Sequence, residues 1–230
     1  MDRYSKITNK NQREIVLLKA FPCIWGKCRF CDYIEDNSNQ KDEMIRLNHE
    51  ILSQVTGEFG VLEVINSGSC FELPKETLEE IRILIQTKKI KKLFFESHWM
   101  YRKKICRKCE IIWGFLLCSK IGVETFDNEF RQQYLNKNAG FTTPEEVAEL
   151  FDSPCLMVGI KGQTKEMIDY DIRMLKEHFK LGTVNVFTNN TTDVVRDEEL
   201  VRWFLEKYAY LEEDPTVEVL YENTDFGVGD

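Results

Sequence analysis

Short apolar runs alternate with amphipathic stretches along this chain, and that alternation narrows the fold more than any other feature. Ile15-Val16-Leu17-Leu18, Val61 to Ile65, Leu93-Phe94-Phe95, Phe115 to Val123, Cys155 to Ile160 and Val184 to Phe187 read as strands. Such near-continuous runs suit strands buried on both faces, as in parallel sheets. Between them, Met44, Ile45, Leu47, Ile51, Leu52 and Val55 fall mostly on one helical face, and Leu78, Ile81, Leu84 and Ile85 follow Pro74 in the same way. Thr143-Pro144-Glu145-Glu146 is a capping box with Pro at the first helical position. Ile168, Ile172, Leu175 and Phe179 mark another helix, and Leu200, Val201, Phe204, Leu205 and Tyr208 one more. The basic segment from His98 to Lys108 is also expected to be helical, and Val217-Glu218-Val219-Leu220 to be a last strand.

Repeated strand-then-helix units imply a parallel sheet with right-handed crossovers. Six such units are too few for an eight-fold barrel, whose usual size is ~250 residues. The expected fold class is therefore α/β, an open, partial parallel β/α barrel. A single domain over residues 1–230 is expected, with a core at about 14–190 and a capping segment at about 191–230. In sheets of this kind ligands sit beyond the carboxyl ends of the strands, so the loops there are where chemistry should be sought.

The loop after the first of those strands, Phe21 to Tyr33, carries Cys23, Cys28 and Cys31 within nine residues. Clustered thiolates suit zinc or iron–sulfur centres. A structural zinc site needs four closed ligands, and no fourth Cys or His stands nearby in sequence. Three thiolates on a four-iron cluster leave one iron for a ligand that is not protein. A zinc site completed by a distant Cys or His is the other reading of the loop. Of the remaining cysteines, Cys106-x2-Cys109 could hold a second metal with Cys118, Cys70 stands near a pocket-lining turn, and Cys155 fits core packing.

The formal net charge is −8, and the basic clusters Lys88 to Lys92 and Arg102 to Lys104 are short. Phosphate backbones are bound by an excess of Lys and Arg on one face. The balance points to a small-molecule partner, with no direct nucleic-acid binding. Met1 to Gln12 is polar and no apolar run approaches the ~20 residues that span a bilayer. A cytoplasmic protein without membrane contact is expected, its cysteines reduced.

At the cysteine loop the sequence resembles the radical S-adenosylmethionine superfamily, whose usual signature is C-x3-C-x2-C with an aromatic residue before the last Cys. Phe30 supplies the aromatic, while the first gap holds four residues, Ile24 to Lys27. The resemblance implies a [4Fe-4S] cluster on Cys23, Cys28 and Cys31 with S-adenosylmethionine as second cofactor. It also implies an external one-electron donor. Asn66-Ser67-Gly68-Ser69 looks like the family's turn for the methionine amino group, and Glu96 stands where ribose contacts are common. Glu124 ends a Gly-x-Glu strand. Val158 to Thr164 is similar to the fifth-strand glycine motif beside the adenine, implicating Ile160 and Gly162, and Tyr33 matches the position that meets the adenine amine. These marks run over residues 14–190.

Glu14 to Asp36, the His98 region, Gly159 to Thr164 and the ending Tyr221 to Gly227 further resemble the queuine lyase group. That similarity implies cleavage of a deazapurine's C–N bond to release 7-aminomethyl-7-deazaguanine for queuosine salvage. A deazaguanine presents N–H donors, which carboxylates meet, and Glu72, Glu222 and Asp225 are the candidates. His98 suits the diol or a proton transfer. Other small radical enzymes, a glycyl-radical-enzyme activase or a deazaguanine-forming synthase, share the same marks. A metal-stabilised binding module is the alternative from another class.

Overall fold

The computed structural model describes residues 2–105 and 115–221. Its strands are β1 (Tyr4–Ile7), β2 (Arg13–Leu18), β3 (Val61–Asn66), β4 (Lys92–Ser97), β5 (Leu116–Glu124), β6 (Ser153–Val158), β7 (Gly182–Val186) and β8 (Val217–Leu220). Within each unit neighbouring strands pair in chain order. The helices described are α1 (Lys41–Leu52), α2 (Lys75–Thr87), α3 (Pro144–Ala148), α4 (Lys165–His178) and α5 (Glu198–Lys207). The chain divides into two compact units, one formed by residues 1–26 and 33–119, the other by 27–32 and 120–230. No described helix is long and apolar enough to cross a membrane.

In the first unit β2, β3 and β4 pair in parallel. All six residues of β2 are buried, as its unbroken apolar run requires. Val16, Leu18, Leu62, Val64 and Leu93 from the strands pack against Ile51, Leu52 and Val55 from helix α1 and its end, and against Ile81 and Ile85 of α2. Each such side chain contributes roughly 1.5–3 kcal/mol on full burial. The charged start of β2 is held by specific partners. Arg13 pairs with Glu63 at 2.5 Å, and Glu14 accepts from the backbone N–H of Thr56 and Gly57.

Strand β1 was not legible in the polar N-terminus. It pairs antiparallel with β2, and Tyr4 donates its hydroxyl to Glu14 at 2.7 Å. A strand that lays polar side chains along a sheet edge shows no apolar run to read.

In the second unit β5, β6, β7 and β8 pair in parallel. Phe30, Phe130, Leu135, Met157, Ile160, Phe187 and Val194 form one buried cluster there. The strand expected over Cys155 to Ile160 runs instead from Ser153 to Val158. Gly159 ends it with φ +85°, and a Cβ at that position would stand 2.3 Å from Val201 Cγ2 of α5. The helix expected at Thr143 is present, with the Thr143 hydroxyl accepting from Glu146 N–H. Glu146 reaches back to Thr142 rather than to Thr143. The basic segment after β4 forms a 3-10 helix, Trp99–Lys104, and Cys106 to Lys108 lie outside the described residues.

Candidate active site

Cys23 belongs to the first unit, whereas Cys28 and Cys31 belong to the second. All three are reduced thiols, partly exposed. Each unit holds its share of the loop by a different construction.

In the first unit Cys23 lies against the small-residue turn that ends β3. Gly68 has φ +142°, and a Cβ there would stand 2.2 Å from Glu72 Oε2 and 3.3 Å from Cys23 Cβ, so only glycine fits. Ser69 caps a short 3-10 helix, Cys70–Glu72, and Glu72 closes the capping box by accepting from Ser69 N–H at 2.6 Å. The other oxygen of Glu72 accepts from Ile24 N–H at 2.6 Å and from the Tyr101 hydroxyl at 3.3 Å. Asn37 completes the brace, its Oδ1 accepting from Cys23 N–H and its Nδ2 donating to the Ser67 carbonyl. Burial pushes the Glu72 carboxyl upward, opposed by the amide donors from Ser69 and Ile24. Burial also pushes the Cys70 thiol up to about 12, which keeps it protonated.

The strand-end residues of this unit gather around the same turn. Ser69 is fully buried and its hydroxyl meets that of Ser97 at 3.0 Å. Glu96 is half-buried one residue before Ser97. Buried His98 caps the 3-10 helix after β4, its Nδ1 accepting from Met100 N–H at 3.2 Å. A neutral ring so engaged carries its proton on Nε2. Ser67 is buried, and Tyr33 is exposed at the start of a 3-10 helix, Tyr33–Asp36.

In the second unit Cys28 and Cys31 pack against the apolar cluster around Phe30 and are joined by a turn, Cys31 N–H donating to the Cys28 carbonyl. The segment is held at several points. Arg29 N–H donates to the Leu135 carbonyl, Asn190 Nδ2 to the Phe30 carbonyl, and Thr191 N–H to Asp32. Arg29 also forks onto exposed Asp193. Thr191 and Asp193 stand at the start of the expected capping segment.

Glu124 ends β5 in the left-handed region, φ +65°, just past a register shift between Gly122 and Glu124. A non-glycine residue held there costs of order 1–3 kcal/mol. Its carboxylate meets Lys137 Nζ at 2.5 Å, and both side chains are nearly sealed from solvent. Lys137 sits between Asn136 and Asn138, both left-handed, and its ammonium stands 5.4 Å from the centre of the Phe30 ring. Burial works against the Lys137 ammonium. The negative charge of Glu124, Cys28 and Cys31 outweighs it and lifts the group above the ordinary lysine range. Lys137 was missed in the sequence; the signal was Asn136-Lys137-Asn138, since Asn tolerates the left-handed turn.

Fully buried Ile160 donates its N–H to Gln163 Oε1, and Gly162 takes φ +99° with the Phe130 ring 3.4 Å from a notional Cβ. The loop that carries Lys137 is tied by buried Arg131, which donates to the carbonyls of Thr125, Ala139 and Phe141. Asp171, on α4, accepts from Phe126 N–H at the start of that loop. Cys106, Cys109, Glu222 and Asp225 lie outside the described residues.

Among the described residues no three His, Cys, Asp or Glu side chains stand together closely enough for a single metal ion. The donor set itself, three reduced thiols in one short loop, fits soft iron–sulfur ligation.

No protein-family model matches the chain, and no curated protein matches it significantly. Among solved structures, the queuine lyase from Clostridium spiroforme bound to SAM and queuine is 54% identical, with a TM-score of 0.95. The match covers 100% of both chains. Identity at that level over the whole length carries the expected fold class with it, the partial β/α barrel of the radical enzymes. The chain belongs to the queuine lyase family of radical S-adenosylmethionine enzymes.

Proposed function

We propose that this chain is a radical lyase that cleaves the C–N bond joining queuine's cyclopentenediol to its aminomethyl arm. The product is 7-aminomethyl-7-deazaguanine, for return to tRNA queuosine synthesis. The observation that carries the reading is the full-length, 54% identical match to a queuine lyase bound to SAM and queuine. Cys23, Cys28 and Cys31 hold a [4Fe-4S] cluster, which when bound and reduced by an external donor supplies the electron that breaks the cofactor's S–C5′ bond.

The protein's own groups bind and orient. The turn Ser67-Gly68-Ser69 receives the methionine amino group of S-adenosylmethionine and Glu96 the ribose. Tyr33, Ile160 and Gly162 flank the adenine, and Glu124 closes the same set. His98, with its proton on Nε2, serves the diol or a proton transfer at the substrate.

Glu72, Glu222 and Asp225 meet the N–H edge of the base. An ionised carboxylate accepts at about four sites. Among the described residues Glu72 has three filled, by Ile24, Ser69 and Tyr101. Residues 1–230 act as one catalytic domain in the cytoplasm, where thiols stay reduced and a low-potential electron donor is at hand. Neither nucleic acid nor membrane takes part.

The test is anaerobic incubation of the reconstituted, reduced protein with S-adenosylmethionine and queuine, followed by mass spectrometry. Formation of 7-aminomethyl-7-deazaguanine with cofactor cleavage is the expected result. Cofactor cleavage without that product places the chain with another radical reaction, and absence of 5′-deoxyadenosine removes the enzyme reading.

A further inference from the structure

The second unit carries a buried charge that the functions above do not use. Lys137 is sealed from solvent in the turn formed by left-handed Asn136 and Asn138. Asn136 Nδ2 donates to the Lys27 carbonyl at 2.7 Å, and the Leu135 carbonyl accepts from Arg29 N–H, so the two residues that precede Lys137 lace the turn to the cysteine segment. The ammonium meets Glu124 Oε1 at 2.5 Å and faces the Phe30 ring, between Cys28 and Cys31 in sequence.

Desolvating an ammonium and a carboxylate costs several kcal/mol each, and packed apolar side chains are often as stable as the pair they replace. Stability alone therefore gives little reason for this pair, which also needs left-handed backbone at Glu124, Asn136 and Asn138. The electrostatic neighbourhood gives one. The ammonium is held by Glu124 over the ring of Phe30, the residue that stands between Cys28 and Cys31, and both cysteines pack against the apolar cluster to which that ring belongs.

We propose that Lys137 is a positioning charge for the iron–sulfur site: a fixed cation, held by Glu124 beside the Cys28 and Cys31 segment, that raises the reduction potential of the cluster those thiolates bind. Reduction adds negative charge to a cluster already made anionic by its thiolates. In a dry surrounding a nearby cation favours the reduced form, and net charge is among the factors that set such potentials. Glu124 partly cancels Lys137, so the two side chains push the potential in opposite directions. The proposal rests on the iron–sulfur reading above and adds to it the group that tunes the cluster.

The experiment is an EPR-monitored redox titration, without S-adenosylmethionine, of the anaerobically reconstituted full chain. Lys137→Met, Lys137→Arg and Glu124→Gln are compared with the unaltered protein, iron and sulfide being counted in each. Lys137→Met is expected to keep its iron while reduction becomes about tenfold less favourable, a fall of ~59 mV for one electron. Lys137→Arg stays near the unaltered value, and Glu124→Gln moves upward. Full iron with unmoved potentials in Lys137→Met and Glu124→Gln overturns the proposal. Should Lys137→Met lose iron, Glu124→Gln decides alone, an upward shift supporting the proposal and no shift refuting it. An unaltered protein that takes up no iron and sulfide refutes the iron–sulfur reading itself, a separate result that removes the proposal with it.

Discussion

Cys23 and Cys28 stand five positions apart, yet the two sides of their loop take their hydrogen bonds from different parts of the chain. Around Cys23 the brace is local and built from hydrogen bonds. Glu72 and Asn37 accept from the backbone of Ile24 and Cys23, and Gly68 makes room. Around Cys28 and Cys31 the hydrogen bonds come from much further along the chain, at Leu135, Asn136 and Asn190, and a buried ion pair stands beside them. That pair is Lys137 buried against Glu124, on a loop tied down by Arg131. A carboxylate that collects backbone amides fixes position without adding a cation. A buried ammonium fixes charge as well. The comparison teaches that one short motif can take its geometry from one neighbourhood and its electrostatics from another.

The largest effect is expected at the remote brace. Arg131→Met leaves the carbonyls of Thr125, Ala139 and Phe141 without their donor. Each such loss costs ~1–3 kcal/mol, so a total of at least ~3 kcal/mol should appear in denaturant unfolding. A smaller figure would mean that the loop carrying Lys137 relaxes freely.

At the local brace, Gly68→Ala forces a Cβ against Glu72 Oε2. Displaced, the carboxylate gives up Ser69 and Ile24, at a cost of ~1–3 kcal/mol. Tm should fall by about 2–4 °C for each kcal/mol, with weaker iron uptake. An unchanged Tm would show that Glu72 is not what holds the turn.

A third test separates the two regions by pH. Burial lifts Asp171, beneath the Arg131 loop, from 3.8 to about 7. Between those values the folded chain keeps a proton that the unfolded chain releases. The stability associated with this group is thus full below pH ~4 and is lost as pH rises toward 7. Asp171→Asn should flatten that decline, measured as Tm from pH 4 to 7.5. A slope equal to that of the unaltered protein would mean the carboxyl titrates normally.

The smallest effect belongs to Arg29→Ala. Its fork onto Asp193 is exposed, and exposed pairs contribute little. Tm and iron content should scarcely move, and a marked loss of iron would show that this pair, rather than the buried one, steadies Cys28.

The fold was largely readable because its strands and helices carry strong periodicity. The run Ile15 to Leu18 is typical of a buried strand, and the Leu78-Ile81-Leu84-Ile85 face of an amphipathic helix. Strand β1 was not readable, since Tyr-Ser-Lys-Ile makes its contacts through polar groups and backbone. The cysteine loop stood out because three thiol ligands fall within nine residues, whereas the Ser67 to Ser69 turn was singled out by family resemblance alone. Lys137 was not readable. Its pairing with Glu124 depends on a bulge at Glu124 and on two left-handed asparagines, of which the Asn136-Lys137-Asn138 run is the one trace in the sequence.

The central claim is that Cys23, Cys28 and Cys31 act as one ligand set despite their unlike supports. Counting iron and sulfide, with visible absorption, on the reconstituted protein and its three single Cys→Ala variants tests it most directly. The account predicts a cluster in the unaltered chain and loss of its absorption in every variant. Full cluster content after any one of these substitutions would contradict it.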